Sequence, residues 1–243
     1  MLRLALCSTC LVVMAWPANA ENPNGWRDCL SRNSESSIAA CSEVIEAGPN
    51  SGVDLSVAFF NRGNAHLRER TFDRAIADYD QTIKLNPKHA MAYYKRGSAN
   101  SEIGQFDRAI ADYDKAIELS PNFPAAYAMR GKAYRGKRDS DRAIQDFDAA
   151  IEINPNYAAA YMNRGISYGE QGKFERAIGD FDRAVKLNRK QAEAYYNRGI
   201  TYQKMGEAKK AAADFRKALK IDPAYESAKE SLEALKTPDV DQD

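Results

Sequence analysis

Histidine and cysteine are scarce in this chain, with two His and four Cys in 243 residues. Two histidines are too few for a metal triad. No G-x-S-x-G, H-E-x-x-H or glycine-rich phosphate loop is present either, so catalytic residues, metal ligands and cofactors are all expected to be none. Charge of one sign is missing too. Lys+Arg (35) and Asp+Glu (34) are interleaved, and without a basic stripe no nucleic-acid partner is expected. A long apolar run occurs only in residues 1–20, MLRLALCSTCLVVMAWPANA. A cation at Arg3, an apolar core from Leu4 to Trp16 and the ending Ala18-Asn19-Ala20 predict a secretory signal cleaved after Ala20. The run is short for a bilayer span. An uncleaved anchor is the alternative; the signal reading leaves no transmembrane span in the mature chain. The protein is then expected to be exported, periplasmic in a Gram-negative host and secreted otherwise.

Cys7 and Cys10 would leave with the signal, and Cys29 and Cys41 remain. An even count in an oxidising compartment predicts a disulfide between them. Two thiols are too few for a metal site, and the spacing is not the C-x-x-C of a redox pair.

What the chain has in abundance is itself. RAIADYDQTIKLNP begins at Arg74, and versions of it begin at Arg108, Arg142, Arg176 and Lys210, 34 residues apart each time. Gly63, Gly97, Gly131, Gly165 and Gly199 keep the same interval, as do Ala75, Ala109, Ala143, Ala177 and Ala211. A fixed period in this range predicts a stack of identical supersecondary units, here from Ser56 to Tyr225. Within a copy, Tyr93, Gly97 and Asn100 share one helical face, and Ala109, Tyr113 and Ala116 share another. A short polar turn such as EIGQF separates the two helices. Asp107, Asp141 and Glu175 suit the start of the second helix, and the Asn-Pro, Ser-Pro or Asp-Pro pair suits its end. The fourth copy has Arg189 where the others have proline, so its second helix is expected to run longer. Gly97 and Ala109 let the two backbones approach, and the rings of Tyr93 and Tyr113 fill the space around them.

These positions resemble the tetratricopeptide repeat, whose pattern is an aromatic, Gly four residues on, an aromatic, then Ala, an aromatic, Ala and Pro. The second copy supplies Tyr93, Gly97, Ala109, Tyr113, Ala116 and Pro121, departing at Asn100. The fourth supplies Tyr161, Gly165, Tyr168, Ala177, Phe181 and Ala184, departing at Arg189. The resemblance implies an all-α, right-handed α-solenoid of helix-turn-helix units at 56–89, 90–123, 124–157, 158–191 and 192–225. Residues 21–55 would be a degenerate capping copy holding the Cys pair. Residues 226–236 would be a closing helix with Ala228, Leu232 and Leu235 on one side, and 237–243 a tail.

In that family the first helix of each pair lines a concave face. Carried over, the partner-binding residues are Phe60, Asn61 and Asn64, then Tyr94, Lys95 and Ser98, then Ala128, Met129 and Lys132. Met162, Asn163 and Ile166, followed by Tyr196, Asn197 and Ile200, complete the set. Asn61, Asn163 and Asn197 resemble in part the asparagine ladder with which one family member holds peptide backbone. The repeated DYD and DFD pairs read as a solvated structural face, because cation loops need irregular, glycine-bearing backbone. Arg62, Arg96, Arg130, Arg164 and Arg198 read as partners of Asp78, Asp112, Asp146, Asp180 and Asp214; the alternative is a track for an anionic ligand. The expected function is a non-enzymatic scaffold that holds a protein or peptide. Rival readings are a self-associating envelope protein and an accessory subunit of an envelope enzyme complex.

Overall fold

The computed structural model describes residues 27–30, 33–48 and 54–235, and no β-strand occurs among them. The expected signal at 1–20 and the tail at 237–243 lie outside the described residues. Helix α1 spans Ser34–Ala47, and five helix pairs follow: α2 (Leu55–Arg68) with α3 (Phe72–Leu85), α4 (Ala90–Glu102) with α5 (Phe106–Leu119), α6 (Pro124–Gly136) with α7 (Ser140–Ile153), α8 (Ala158–Glu170) with α9 (Phe174–Leu187), and α10 (Ala192–Lys204) with α11 (Ala208–Ile221). A last helix, α12, covers Glu226–Ala234. Side chains cap several helix starts: Asn33, Asp54, His89 and Asp139 each accept a backbone N–H of the first turn. Among the described residues no helix is long and apolar enough to cross a membrane.

Every copy packs alike. Ala75, Ala109, Ala143, Ala177 and Ala211 are completely buried, beside the buried rings of Tyr79, Tyr113, Phe147, Phe181 and Phe215. The recurring glycine marks the point of closest approach. A methyl group built on Gly97 would sit 2.9 Å from the Tyr113 ring and 3.1 Å from the Ala109 carbonyl, and one on Gly131 would sit 2.9 Å from the Phe147 ring. The second helix crosses where there is no side chain to hold it off. The turn within each pair needs one left-handed residue, which is Gly104, Gly172 or Gly206 in three copies and Arg70 or Arg138 in the other two.

The second helix of the fourth copy does not run longer for want of a proline. It ends at Leu187, in register with Leu85, Leu119, Ile153 and Ile221. The stop is made by the residue after it. Asn188 leaves helical geometry and its side-chain oxygen accepts the N–H of Lys190, as Asn86, Asn154 and Asp222 do in their own copies.

First helices of successive copies touch one another: α2 with α4, α4 with α6, α6 with α8, and α8 with α10. They form the inner wall of the solenoid, and the second helices form the outer one. At the N-terminal end Cys29 and Cys41 form a disulfide and are both fully buried. It ties the short segment 27–30 to α1 across the expected capping copy, with Ser37 Oγ also donating to the Cys29 carbonyl at 2.9 Å.

Candidate functional site

The arginine ladder joins the repeats. Arg130 donates from Nε and Nη2 to the two oxygens of Asp146, at 2.9 and 2.5 Å, and from Nη1 to Asp114 of the preceding copy, at 2.6 Å. Arg96 and Arg164 do the same with Asp112 and Asp80, and with Asp180 and Asp148; Arg198 takes Asp214 and Asp182. In each of the five, the guanidinium also lies 5.5 Å from the centroid of the ring three residues earlier: Phe59, Tyr93, Tyr127, Tyr161 or Tyr195. At the N-terminal end Glu46 stands at the position of that preceding Asp, and Arg62 Nη1 donates to Ser42 Oγ.

The DYD and DFD pairs are therefore not a solvated face. The first Asp of each pair is buried, 4–6% exposed, and holds the arginine of its own copy. The second, as Asp80, Asp114, Asp148 or Asp182, holds that of the next. With their donors taken in this way, Arg96, Arg130, Arg164 and Arg198 have no open fork to offer an anionic ligand. The hydrogen bonds that Arg130 and Arg164 donate to Asp146 and Asp180 raise their pKa above the ordinary guanidinium value.

On the inner wall the expected groove residues separate into three groups. Met162 and Asn163 are buried, 6% and 7% exposed, and offer a partner almost no surface. Met162 belongs to the core around Phe181, and its sulfur accepts from Gln191 Nε2. Asn163 is satisfied internally, donating to the Ala159 carbonyl at 2.8 Å and accepting from Arg135 Nη1 at 3.2 Å. Asn61 and Asn197 also turn their amides back to carbonyls of their own helices, at Val57 and Glu193. Of the three, only Asn163 is buried away from a partner.

The second group closes packing joints. Phe60 lies 4.7 Å from His89, Tyr94 4.8 Å from Phe123 and Tyr196 5.0 Å from Tyr225, ring centroid to centroid. Each of these contacts bridges a first helix to the residue preceding the next one. Burial pushes the Tyr94 phenol above its ordinary pKa, with Tyr157 adding to it, and burial lowers that of neighbouring Lys95. Asn64 and Ser98 serve the buried phenols. Tyr79 donates to Asn64 Oδ1 at 3.0 Å, and Tyr113 donates to Ser98 Oγ at 3.4 Å. Where the buried ring is Phe147, Phe181 or Phe215, the facing residue is Lys132, Ile166 or Ile200, and no hydroxyl needs a partner.

The third group keeps an open face. Ile166, Asn197 and Ile200 line a pocket of about 100 Å³ between α8 and α10, floored by Gly165, Gly169 and Phe181, with Thr201 beside them and Glu170 and Lys204 at the rim. Gly169 makes the space. Its equivalents are Leu67, Ser101, Arg135 and Gln203, and a methyl built on it meets nothing nearer than 4.0 Å. Sequence reasoning missed Gly169, Glu170 and Lys204. The available signal was a glycine at a position that carries a side chain in every other copy. One turn up the wall, Arg135 is held near Glu170, and burial lowers its pKa against the pull of Glu170 and Glu193. Met129 and Lys132 flank the same wall, half-buried and exposed respectively.

Sequence models of the tetratricopeptide repeat match residues 60–124, 94–158, 147–179 and 192–225, and a TPR repeat model matches 167–206. Together they run without a break from 60 to 225. No curated protein matches the chain. Among solved structures it is similar to MamA, at 28% identity over 69% of this chain and 96% of that one, with a TM-score of 0.59. It is also similar to YrrB, described as a TPR protein with an unusual peptide-binding site, at 24% identity over 82% of this chain and 100% of that one, TM-score 0.60. MamA from Desulfovibrio magneticus RS-1 aligns at 21% identity over 71% of this chain and 98% of that one, TM-score 0.63.

Proposed function

Because the chain belongs to the tetratricopeptide repeat family, we propose that it is a non-enzymatic scaffold whose inner wall holds an extended segment of a partner protein. The observation that carries this is the pocket under Ile166 and Ile200. At about 100 Å³ it falls below the roughly 300–1,000 Å³ of small-molecule sites. It suits one aliphatic side chain. Asn197, Glu170 and Lys204 at its edge supply donors and acceptors for the polar backbone on either side of that residue. Exposed polar groups beside an apolar seat are the arrangement that anchors a peptide by one buried residue.

We place this scaffold outside the cytoplasm. The Cys29–Cys41 bond supports that location, because such bonds persist in oxidising compartments and are rare in reducing ones.

The test is a random peptide display library panned on the oxidised chain. Retained peptides should share an aliphatic residue. Gly169→Leu fills the seat from a position with room for a side chain, and should cut their affinity by tenfold or more with the circular dichroism melt unchanged. Equal retention by that variant contradicts the reading.

A further inference from the structure

One position departs from the pattern of the other copies and leaves a hole in the outer wall. His66, Asn100, Tyr134, Tyr168 and Tyr202 are equivalent, 34 residues apart. Where the residue is tyrosine, its ring sits among the ladder charges. The Tyr168 ring lies 5.9 Å from the Arg164 guanidinium and 5.7 Å from that of Arg176, and the Tyr134 ring lies 4.4 Å from Arg142. Tyr202 has Lys210 5.2 Å away, and Arg198, Asp182 and Asp214 also act on its phenol. In the first copy His66 occupies the place, its Nδ1 paired with Thr71 Oγ1 at 2.9 Å.

In the second copy Asn100 is too short to fill it. A cavity of about 310 Å³ opens there between α3, α4 and α5, lined by Ile76, Asp80, Arg96, Asn100, Arg108, Ala111 and Asp112. Asp80, Arg96, Arg108 and Asp112 are the equivalents of the four charged residues around Tyr202, so the space is the place of a tyrosine ring with its surroundings kept. Asn100 is 3% exposed and its Nδ2 donates to Asp112 at 3.0 Å. Its Oδ1 is buried and accepts no hydrogen bond from the protein. A buried acceptor in that state is costly unless a donor reaches it.

We propose that this cavity binds an aromatic ring carrying a hydrogen-bond donor, the chemistry shared by a free phenol and a tyrosine side chain. The ring takes the place that Tyr134, Tyr168 and Tyr202 take in their own copies, against the guanidinium groups of Arg96 and Arg108. Its hydroxyl donates to Asn100 Oδ1. Size permits this, since an apolar cavity of about 150 Å³ already admits benzene and this one is larger. The site lies between α3, α4 and α5 and shares no residue with the pocket between α8 and α10, and it goes beyond the scaffold function.

The experiment titrates the full oxidised chain with p-cresol, N-acetyltyrosinamide and toluene, following the Ile76 and Ala111 methyl groups by NMR. Saturable shifts with p-cresol are expected, and toluene should bind about tenfold more weakly for lack of the hydroxyl. N-acetyltyrosinamide binding as well as p-cresol assigns the site to a tyrosine on a partner chain; p-cresol binding alone assigns it to a small free phenol. Asn100→Tyr should fill the cavity, raise the melting temperature and abolish the shifts. Asn100→Leu, which removes the acceptor, should erase the preference for p-cresol over toluene. Absence of saturable shifts with both phenols overturns the proposal, as does undiminished binding to folded Asn100→Tyr or a hydroxyl preference that survives in Asn100→Leu.

Discussion

Replacing Arg130 with alanine should cost far more than the loss of an exposed ion pair. The reason is the asymmetry of its two partners. Asp146 has a side chain only 6% exposed and Asp114 one 53% exposed. Losing the cation strands the Asp146 carboxylate where water does not reach it, and breaking a buried pair from one side costs about 3–5 kcal/mol. Removing Asp114 instead leaves Arg130 with its bidentate partner, and an exposed ion pair is worth about 0.2–1 kcal/mol. The lost contact with Tyr127 adds to the Arg130 side of the balance. Urea unfolding of wild type, Arg130→Ala and Asp114→Ala, followed by circular dichroism, measures the difference. Because each repeat touches only its neighbours, the Arg130 variant should also lose amide protection first in α6 and α7, ahead of the terminal copies. Equal costs for the two substitutions, or a uniform loss of protection, would refute the reasoning. A double variant, Arg130→Met with Asp146→Leu, should recover most of the stability.

Gly97→Ala should destabilise by about 1–3 kcal/mol, because the added methyl meets the Tyr113 ring and the Ala109 carbonyl. Gly179→Ala, also within a helix but with nothing within 4 Å, should stabilise by about 0.5–1 kcal/mol in the same thermal melt. Burial holds the His66 pKa below the ordinary 6.5, so the unfolded chain takes up its proton first as pH falls. The stability His66 supplies is present above about pH 6.5 and is lost below it. His66→Tyr should flatten that part of the stability–pH curve, and an unchanged slope would locate it elsewhere. Reducing the Cys29–Cys41 bond, whose loop spans 12 residues, should cost the N-terminal cap about 3 kcal/mol. Exchange should then quicken in α1 while α6 to α10 keep their protection.

The period, the helix pairs and the glycine–alanine approach were legible in the sequence because they depend on spacing alone. Arg189 misled because proline is only one way to stop a helix, and Asn188 stops it with its own side chain. The groove was harder. Spacing places Met162 and Asn163 near the inner wall, but it does not say that Gln191 and Arg135 will cover them. Asn64 and Ser98 looked like recognition residues, yet each answers a buried hydroxyl on the facing helix. Their covariation with Tyr79 and Tyr113 was in the sequence, readable only once the facing pairs were known. The double use of each Asp pair joins two successive copies, and no single copy shows it.

A bound peptide should touch the solenoid at the pocket between α8 and α10. Methyl and amide shifts recorded with a library-selected peptide should change at Ile166, Asn197 and Ile200, and stay put in the second helices. The same titration on Gly169→Leu should show those shifts gone with the spectrum otherwise intact. Shifts concentrated on α3, α5, α7, α9 and α11, with the residues around Gly169 silent, would contradict it.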